Sequence, residues 1–178
     1  MSESASEVFG SEPERVARFF DLDARPRRLW RSEELGAILR HQLAAPVFFD
    51  LERFEPEKAA RLQATLAGGV SGGEIRSYAD LFHLWRPPLE LLRLTKDFAK
   101  SHLNHPDATL PREVATVLYY ASILVARLRC GESLSRLNEE ALLKGVLWVL
   151  AQSWVDAETR ALFEEGHARL GERKPSAE

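Results

Sequence analysis

The densest group of possible metal ligands in this chain lies near residue 105, where His102, Asn104, His105 and Asp107 occur within six positions. Imidazole and carboxylate groups could share one ion if they left the same side of a helix. Two histidines on one helix face must be three or four residues apart within a continuous helix, and Pro106 interrupts the helix here. The pattern therefore favours a polar loop between two helices, and we predict no metal and no cofactor.

A second group combines arginine with an aromatic ring, and it comprises Arg25, Arg27, Arg28, Trp30 and Arg31. Guanidinium groups pair with phosphate, and aromatic rings stack on bases or anchor protein partners. Acidic residues flank the group on both sides and would cancel much of its positive field. Ordinary salt-bridged structure, with Trp30 packed beneath the following helix, remains an alternative. As a functional hypothesis, we predict that these five residues bind a protein partner. Binding of nucleic acid is not favoured.

No nucleophile lies at motif spacing from a base, so the sequence predicts no catalytic residue. Cys130 follows Arg127 and Arg129 near the expected end of a helix, where the helix dipole disfavours a thiolate. A pocket that binds a small ligand, or an enzyme of unrecognised type, remains the rival hypothesis. Its residues would be His83, Trp85, Arg86, His102 and His105.

Composition narrows the class of protein. The chain has 178 residues, 45% hydrophobic and 29% charged, with a formal net charge of −3. Such a balance is typical of a globular protein, and so small a net charge creates no long-range field for nucleic acid or anionic lipid. The single cysteine and the polar N-terminal residues, which lack the apolar core of a signal peptide, lead us to expect a cytoplasmic protein without membrane contact.

The elements that would position these groups are helices. Thirteen consecutive residues, Val114 to Ala126, carry no formal charge. At 1.5 Å per residue they span roughly 20 Å, less than a bilayer requires, so we predict a central buried helix near 112–130. No strand alternation appears. The sequence predicts an all-α bundle of about seven helices, with Ala141 to Trp154 as the other innermost helix.

A glycine-rich segment suggests a division of the chain into two parts. Four glycines between Gly68 and Gly73 lack the lysine of a phosphate-binding loop, which favours a hinge. We predict disordered tails at 1–10 and 171–178, an N-terminal helical arm at 11–67 and a C-terminal bundle at 74–170. The segment 45–54 has no clear helical period and is expected to be extended.

Because the arm is rich in aromatic residues and no catalytic motif is present, the leading functional hypothesis is a non-enzymatic helical interaction or adaptor module. Its partner would be another protein or a second copy of the chain. One question stays open at this point, which is whether the arm belongs to the core or docks on a partner.

Overall fold

The computed structural model describes residues 30–67, 75–104 and 110–172. These residues form eight α-helices and one π-helical turn, without a β-strand, which confirms the all-α prediction. The helices are α1 (Ser32–Ala44), α2 (Val47–Phe54), α3 (Pro56–Ala67), α4 (Tyr78–His83), α5 (Leu89–Asn104), α6 (Arg112–Val125), α7 (Glu139–Leu150) and α8 (Ala157–Glu172). The π-helical turn, Ala126–Cys130, continues α6 directly.

Helix α6 is the predicted central helix. Every residue from Val114 to Ala126 is buried, so the charge-free run is enclosed by protein. Pro111 precedes the first turn, and Gly131 ends the π-helical turn in the left-handed conformation with φ 66°. Both residues act as expected, because proline suits a helix start and glycine adopts positive φ without strain.

Among the described helices, five contact α6, namely α1, α4, α5, α7 and α8. Helix α5 packs along it most extensively, and α7 and α8 approach it closely through glycines. Gly145 of α7 lies against the ring of Tyr120, and Gly166 of α8 lies against the side chain of Leu124. Helix α7 buries one face, with Leu147 exposed on the other, and it ends at Leu150 rather than Trp154; α5, not α7, packs most extensively on α6. Among the helices of the described ranges, none has the length and apolar character needed to span a membrane.

The segment 45–54 contradicts the expectation of extended structure, because α2 begins at Val47. Pro46 is its N-cap, and Val47 and Leu51, four residues apart, are both fully buried. The adjacent apolar residues Phe48 and Phe49 obscured this spacing in the sequence. Phe48 is only partly buried and Phe49 is 64% exposed, so the run is an amphipathic helix.

The described part of the predicted arm contributes to the main core. Leu35, Leu39 and Leu43 of α1 belong to the same apolar cluster as the residues of α6. The backbone N–H of Val47 donates to the carbonyl of Arg76 at 3.2 Å, which ties α2 to the start of α4. The glycine run and residues 1–29 lie outside the described residues, so the division into arm and bundle stays a prediction.

Side chains and backbone groups define several helix ends. Asp156 caps α8 through the N–H of Thr159 at 3.0 Å. The N-cap of α1 is Arg31. Helix α4 begins with a capping box in which Ser77 accepts a hydrogen bond from the N–H of Asp80. Helix α8 continues to Glu172, two residues into the predicted C-terminal tail.

Candidate functional site

Of the predicted partner-binding residues, only two are described. Trp30 is half-buried and packs against the core, and Arg31 is exposed at the N-cap of α1. The N–H of Arg31 donates to Oε2 of Glu34 at 3.0 Å. Trp30 therefore contributes part of its side chain to the apolar core. Arg25, Arg27 and Arg28 lie outside the described residues, and their role remains a prediction.

The residues of the rival pocket do not converge. Arg86 precedes α5, and His102 lies in its last turn, so the length of that helix separates them by roughly 20 Å. His83, at the end of α4, is near Glu158 of α8, with 3.8 Å between Nε2 and Oε2. His102 instead packs its ring on Phe98 at a centroid distance of 4.4 Å. The three side chains do not form one pocket.

The ring of His102, a member of the predicted ligand group, makes contacts within α5. Its Nδ1 donates to the carbonyl of Phe98 at 3.0 Å, so one ring nitrogen is used within the helix. Within residues 30–67, 75–104 and 110–172, no group of three or more histidine, cysteine, aspartate or glutamate side chains could hold an ion. His105 and Asp107, the other predicted ligands, lie outside these ranges.

The most unusual surface feature is Trp85, which is 77% exposed. It belongs to the tryptophan loop, defined here as residues 84–88, which joins α4 to α5. Tryptophan is a highly buried residue type on average, because exposure of its large apolar ring to water is unfavourable. The ring of Trp85 therefore contributes little to the burial of apolar surface within this chain.

The loop holds Trp85 between two fixed ends. On one side the N–H of Leu84 donates to the carbonyl of Asp80 at 3.2 Å. On the other side Pro87 is buried, and its carbonyl accepts a hydrogen bond from Sγ of Cys130 at 3.5 Å. Pro88 then accepts the first hydrogen bonds of α5. Two consecutive prolines also restrict φ, so the loop has little conformational freedom.

Cys130 contacts the tryptophan loop and lacks the properties of a nucleophilic cysteine. The π-helical turn brings its thiol to the carbonyl of Pro87, and the side chain is only partly exposed. Burial, followed by the nearby charge of Glu132, raises the pKa of the Cys130 thiol. The thiolate is therefore disfavoured at neutral pH, which is the opposite of what a nucleophilic cysteine requires.

Exposed polar residues flank Trp85 in the chain. Arg86 is exposed beside it in the loop, and the pair of His83 and Glu158 lies at the adjoining ends of α4 and α8. An apolar centre with a polar rim is the usual composition of a protein-binding surface. Sequence analysis placed Trp85 in the rival pocket, but nothing in the sequence signals that its ring faces solvent.

Two further residues were missed entirely. Burial, and then the Asp50 carboxyl, raises the pKa of Tyr78, although the two residues are 28 positions apart in the chain. The single acidic residue in the apolar run 47–51 was the available signal.

Comparison of the chain with family models, with curated proteins and with solved structures finds no match.

Proposed function

We propose that this protein is a helical protein-interaction module and that Trp85 anchors its partner. The observation that carries the proposal is the 77% exposure of Trp85 on a loop with both ends fixed. Tryptophan is among the residues most enriched in binding hot spots, where a few side chains carry most of the affinity. A loop backbone whose ends are already fixed also loses little conformational entropy on binding.

The surroundings of Trp85 support a protein partner. His83 and Arg86 are exposed and flank Trp85 in the chain, and Oε2 of Glu158 lies 3.8 Å from Nε2 of His83, so donors and acceptors are available at this end of α4. A polar rim excludes water from the centre of an interface and pairs with polar groups of the partner. The partner would present an apolar pocket large enough for an indole ring, and it is either another protein or a second copy of this chain.

We place this module in the cytoplasm. The chain has one cysteine, and its partly buried thiol donates a hydrogen bond within the fold. A thiol used in this way is compatible with a reducing compartment.

The test compares Trp85→Ala with Leu147→Ala in binding measurements. Leu147, 45% exposed on α7, is the matched control because it also presents a large apolar side chain to solvent. Partners captured by the wild-type chain are identified, and their affinities are measured by titration calorimetry. Sedimentation of the chain alone tests self-association with the same variants.

We expect Trp85→Ala to weaken the complex about thirtyfold, as for removal of a hot-spot residue of about 2 kcal/mol. Leu147→Ala should bind like the wild type. A partner, or a dimer, whose affinity does not change in Trp85→Ala would overturn the proposal, and so would the absence of any complex.

A further inference from the structure

The π-helical turn at the end of α6 has a backbone that is fixed at both ends. Ala126–Cys130 continues the buried helix, and the carbonyl of Ala126 accepts hydrogen bonds from the N–H groups of Gly131 and Glu132. Gly131 then turns the chain away from the helix with φ 66°. Turns of this kind are rare, and they occur frequently at functional sites. The turn therefore offers its side chains a fixed backbone from which to contact neighbouring elements.

Cys130, the last residue of the turn, contacts the tryptophan loop. Its Sγ donates to the carbonyl of Pro87 at 3.5 Å, and the turn also packs against α5, which follows the loop. Pro87 is buried, whereas Trp85 and Arg86 are exposed. The thiol thus contacts the buried residue of the loop, two positions along the chain from Trp85.

Arg129, the neighbour of Cys130, joins the same turn to α8. Its two terminal nitrogens donate to the two carboxyl oxygens of Glu165, each at 2.6 Å. The side chains of Arg129 and Glu165 are only 16% and 29% exposed, so salt screens their attraction less than that of a fully exposed pair. A bidentate bond also fixes the orientation of the guanidinium group. Helix α8 is therefore bonded to the residue next to the thiol that contacts the loop.

We propose that the π-helical turn is a brace that orders the backbone of the tryptophan loop for binding, with Cys130 and Arg129 as positioning residues. Its consequence for affinity rests on the function proposed for Trp85. Arg129 holds the turn on α8, and Cys130 extends this support to Pro87. A loop that is ordered before association loses less conformational entropy when the complex forms, so the brace raises affinity by acting through the loop.

The brace is tested first on the free full-length chain, without a partner. Nitrogen-15 NMR relaxation gives the order parameters of the backbone N–H groups of Trp85 and Arg86. We expect values of about 0.85 in the wild type, as for rigid backbone, and a fall toward about 0.6 in Cys130→Ala.

Ser122→Ala is the matched control for Cys130→Ala. Ser122 also donates from a side chain of α6 to a backbone carbonyl, that of Leu118 at 2.8 Å, but it lies roughly two turns before Cys130. Loop order in this variant should equal that of the wild type. Denaturant unfolding of each variant shows whether loop order changes independently of global stability.

Glu165→Gln tests the other end of the brace. It leaves Cys130 and Pro87 unchanged and removes the charge that pairs with Arg129. We expect the order parameters of the loop to fall, but less than in Cys130→Ala, because the contact between the thiol and the loop is still present. Unchanged order in Glu165→Gln would overturn the part assigned to Arg129.

The consequence for binding is measured with the partner that the wild-type chain captures. Cys130→Ala should weaken this complex about fivefold, the factor that corresponds to one ordinary hydrogen bond. Ser122→Ala should bind like the wild type. The brace would be overturned by loop order that is equal in the wild type and Cys130→Ala, or that falls equally in Ser122→Ala.

Failure of the brace and failure of the proposed function give different results. Unchanged affinity in Cys130→Ala, with weaker binding in Trp85→Ala, would overturn the brace and leave the role of Trp85 intact. Unchanged affinity in Trp85→Ala would overturn the proposed function and with it the effect of the brace on affinity. In that case the order parameters of the free chain still decide whether the turn orders the loop.

Discussion

Trp148 and Trp85 show the same residue type in two opposite environments of one small fold. Trp148 of α7 is 6% exposed and belongs to the apolar core, whereas Trp85 of the tryptophan loop is 77% exposed. Burial of an indole ring is among the larger single contributions to the free energy of folding. Trp85 makes almost no such contribution, because its ring is mostly in water. The contrast separates a region that stabilises the chain from one that we assign to binding.

The interior leaves no room for added atoms. A Cβ at Gly145 would lie 2.1 Å from Cε1 of Tyr120, whose side chain is itself buried. Close approach of α7 to α6 therefore depends on the absence of a side chain at this position. The tryptophan loop contrasts with this contact, since its central side chain meets mostly water.

The largest expected effect is that of Trp148→Ala. Removing a buried indole leaves a cavity in the core, and such truncations cost about 3 to 5 kcal/mol. The melting temperature of a domain of this size should fall by roughly 10 °C or more. Thermal unfolding followed by circular dichroism measures it. A fall of only about 1 °C would contradict the assignment of Trp148 to the core.

Gly145→Val should come next. The added side chain must push against the ring of Tyr120, and overpacking of this kind costs about 1 to 3 kcal/mol. Gly171→Ala in α8 is the control, because a Cβ there meets nothing within 4 Å. Denaturant unfolding compares the two variants. Equal midpoints for both would show that α7 and α6 are not packed as described.

These interior features were predictable to different degrees. The buried position of α6 follows from its charge-free run, and its ends follow from Pro111 and Gly131, since both signals are local. The contact between Gly145 and Tyr120 joins two helices, so no local pattern reveals it. Helix α2 was missed because Phe48 and Phe49 hide the spacing of Val47 and Leu51.

The candidate site was less predictable than the fold. Trp85 and His83 appeared among the residues of interest, but exposure is a tertiary property that residue type alone does not specify. Tryptophan usually packs inside, so sequence analysis assigned Trp85 to a pocket. Likewise, the Asp50 carboxyl affects the pKa of Tyr78 only because α2 and α4 are brought together, at a point marked by the hydrogen bond from Val47 to Arg76.

A smaller effect is expected at the ion pair that joins the π-helical turn to α8. The two terminal nitrogens of Arg129 donate to the two carboxyl oxygens of Glu165, each at 2.6 Å. This bond with Arg129 lowers the pKa of Glu165 below its ordinary value of 4.5, although burial partly opposes it. Glu165→Gln should cost about 1 kcal/mol at neutral pH.

The sign of the pH dependence at Glu165 follows from proton linkage. Because the pKa of Glu165 is lower in the folded state, its contribution is present above 4.5 and is lost as pH falls through the folded value. Denaturant unfolding across this interval should show the wild type converging on Glu165→Gln in acid. A stability difference between the two chains that stays constant with pH would contradict the pairing.

The smallest effect on folding is expected at Trp85. Because its ring is mostly in water, Trp85→Ala should change the free energy of unfolding by no more than about 0.5 kcal/mol. Denaturant unfolding beside Trp148→Ala measures the contrast. A loss comparable to that of Trp148→Ala would mean that the ring is buried in solution.

The most direct test of the role of Trp85 uses a single sample of Trp85→Ala. Its free energy of unfolding and its affinity for the captured partner are both measured. We predict unchanged stability together with about thirtyfold weaker binding. Unchanged binding, or a loss of binding that only accompanies a loss of stability, would contradict the claim that the loop presents Trp85 to a partner.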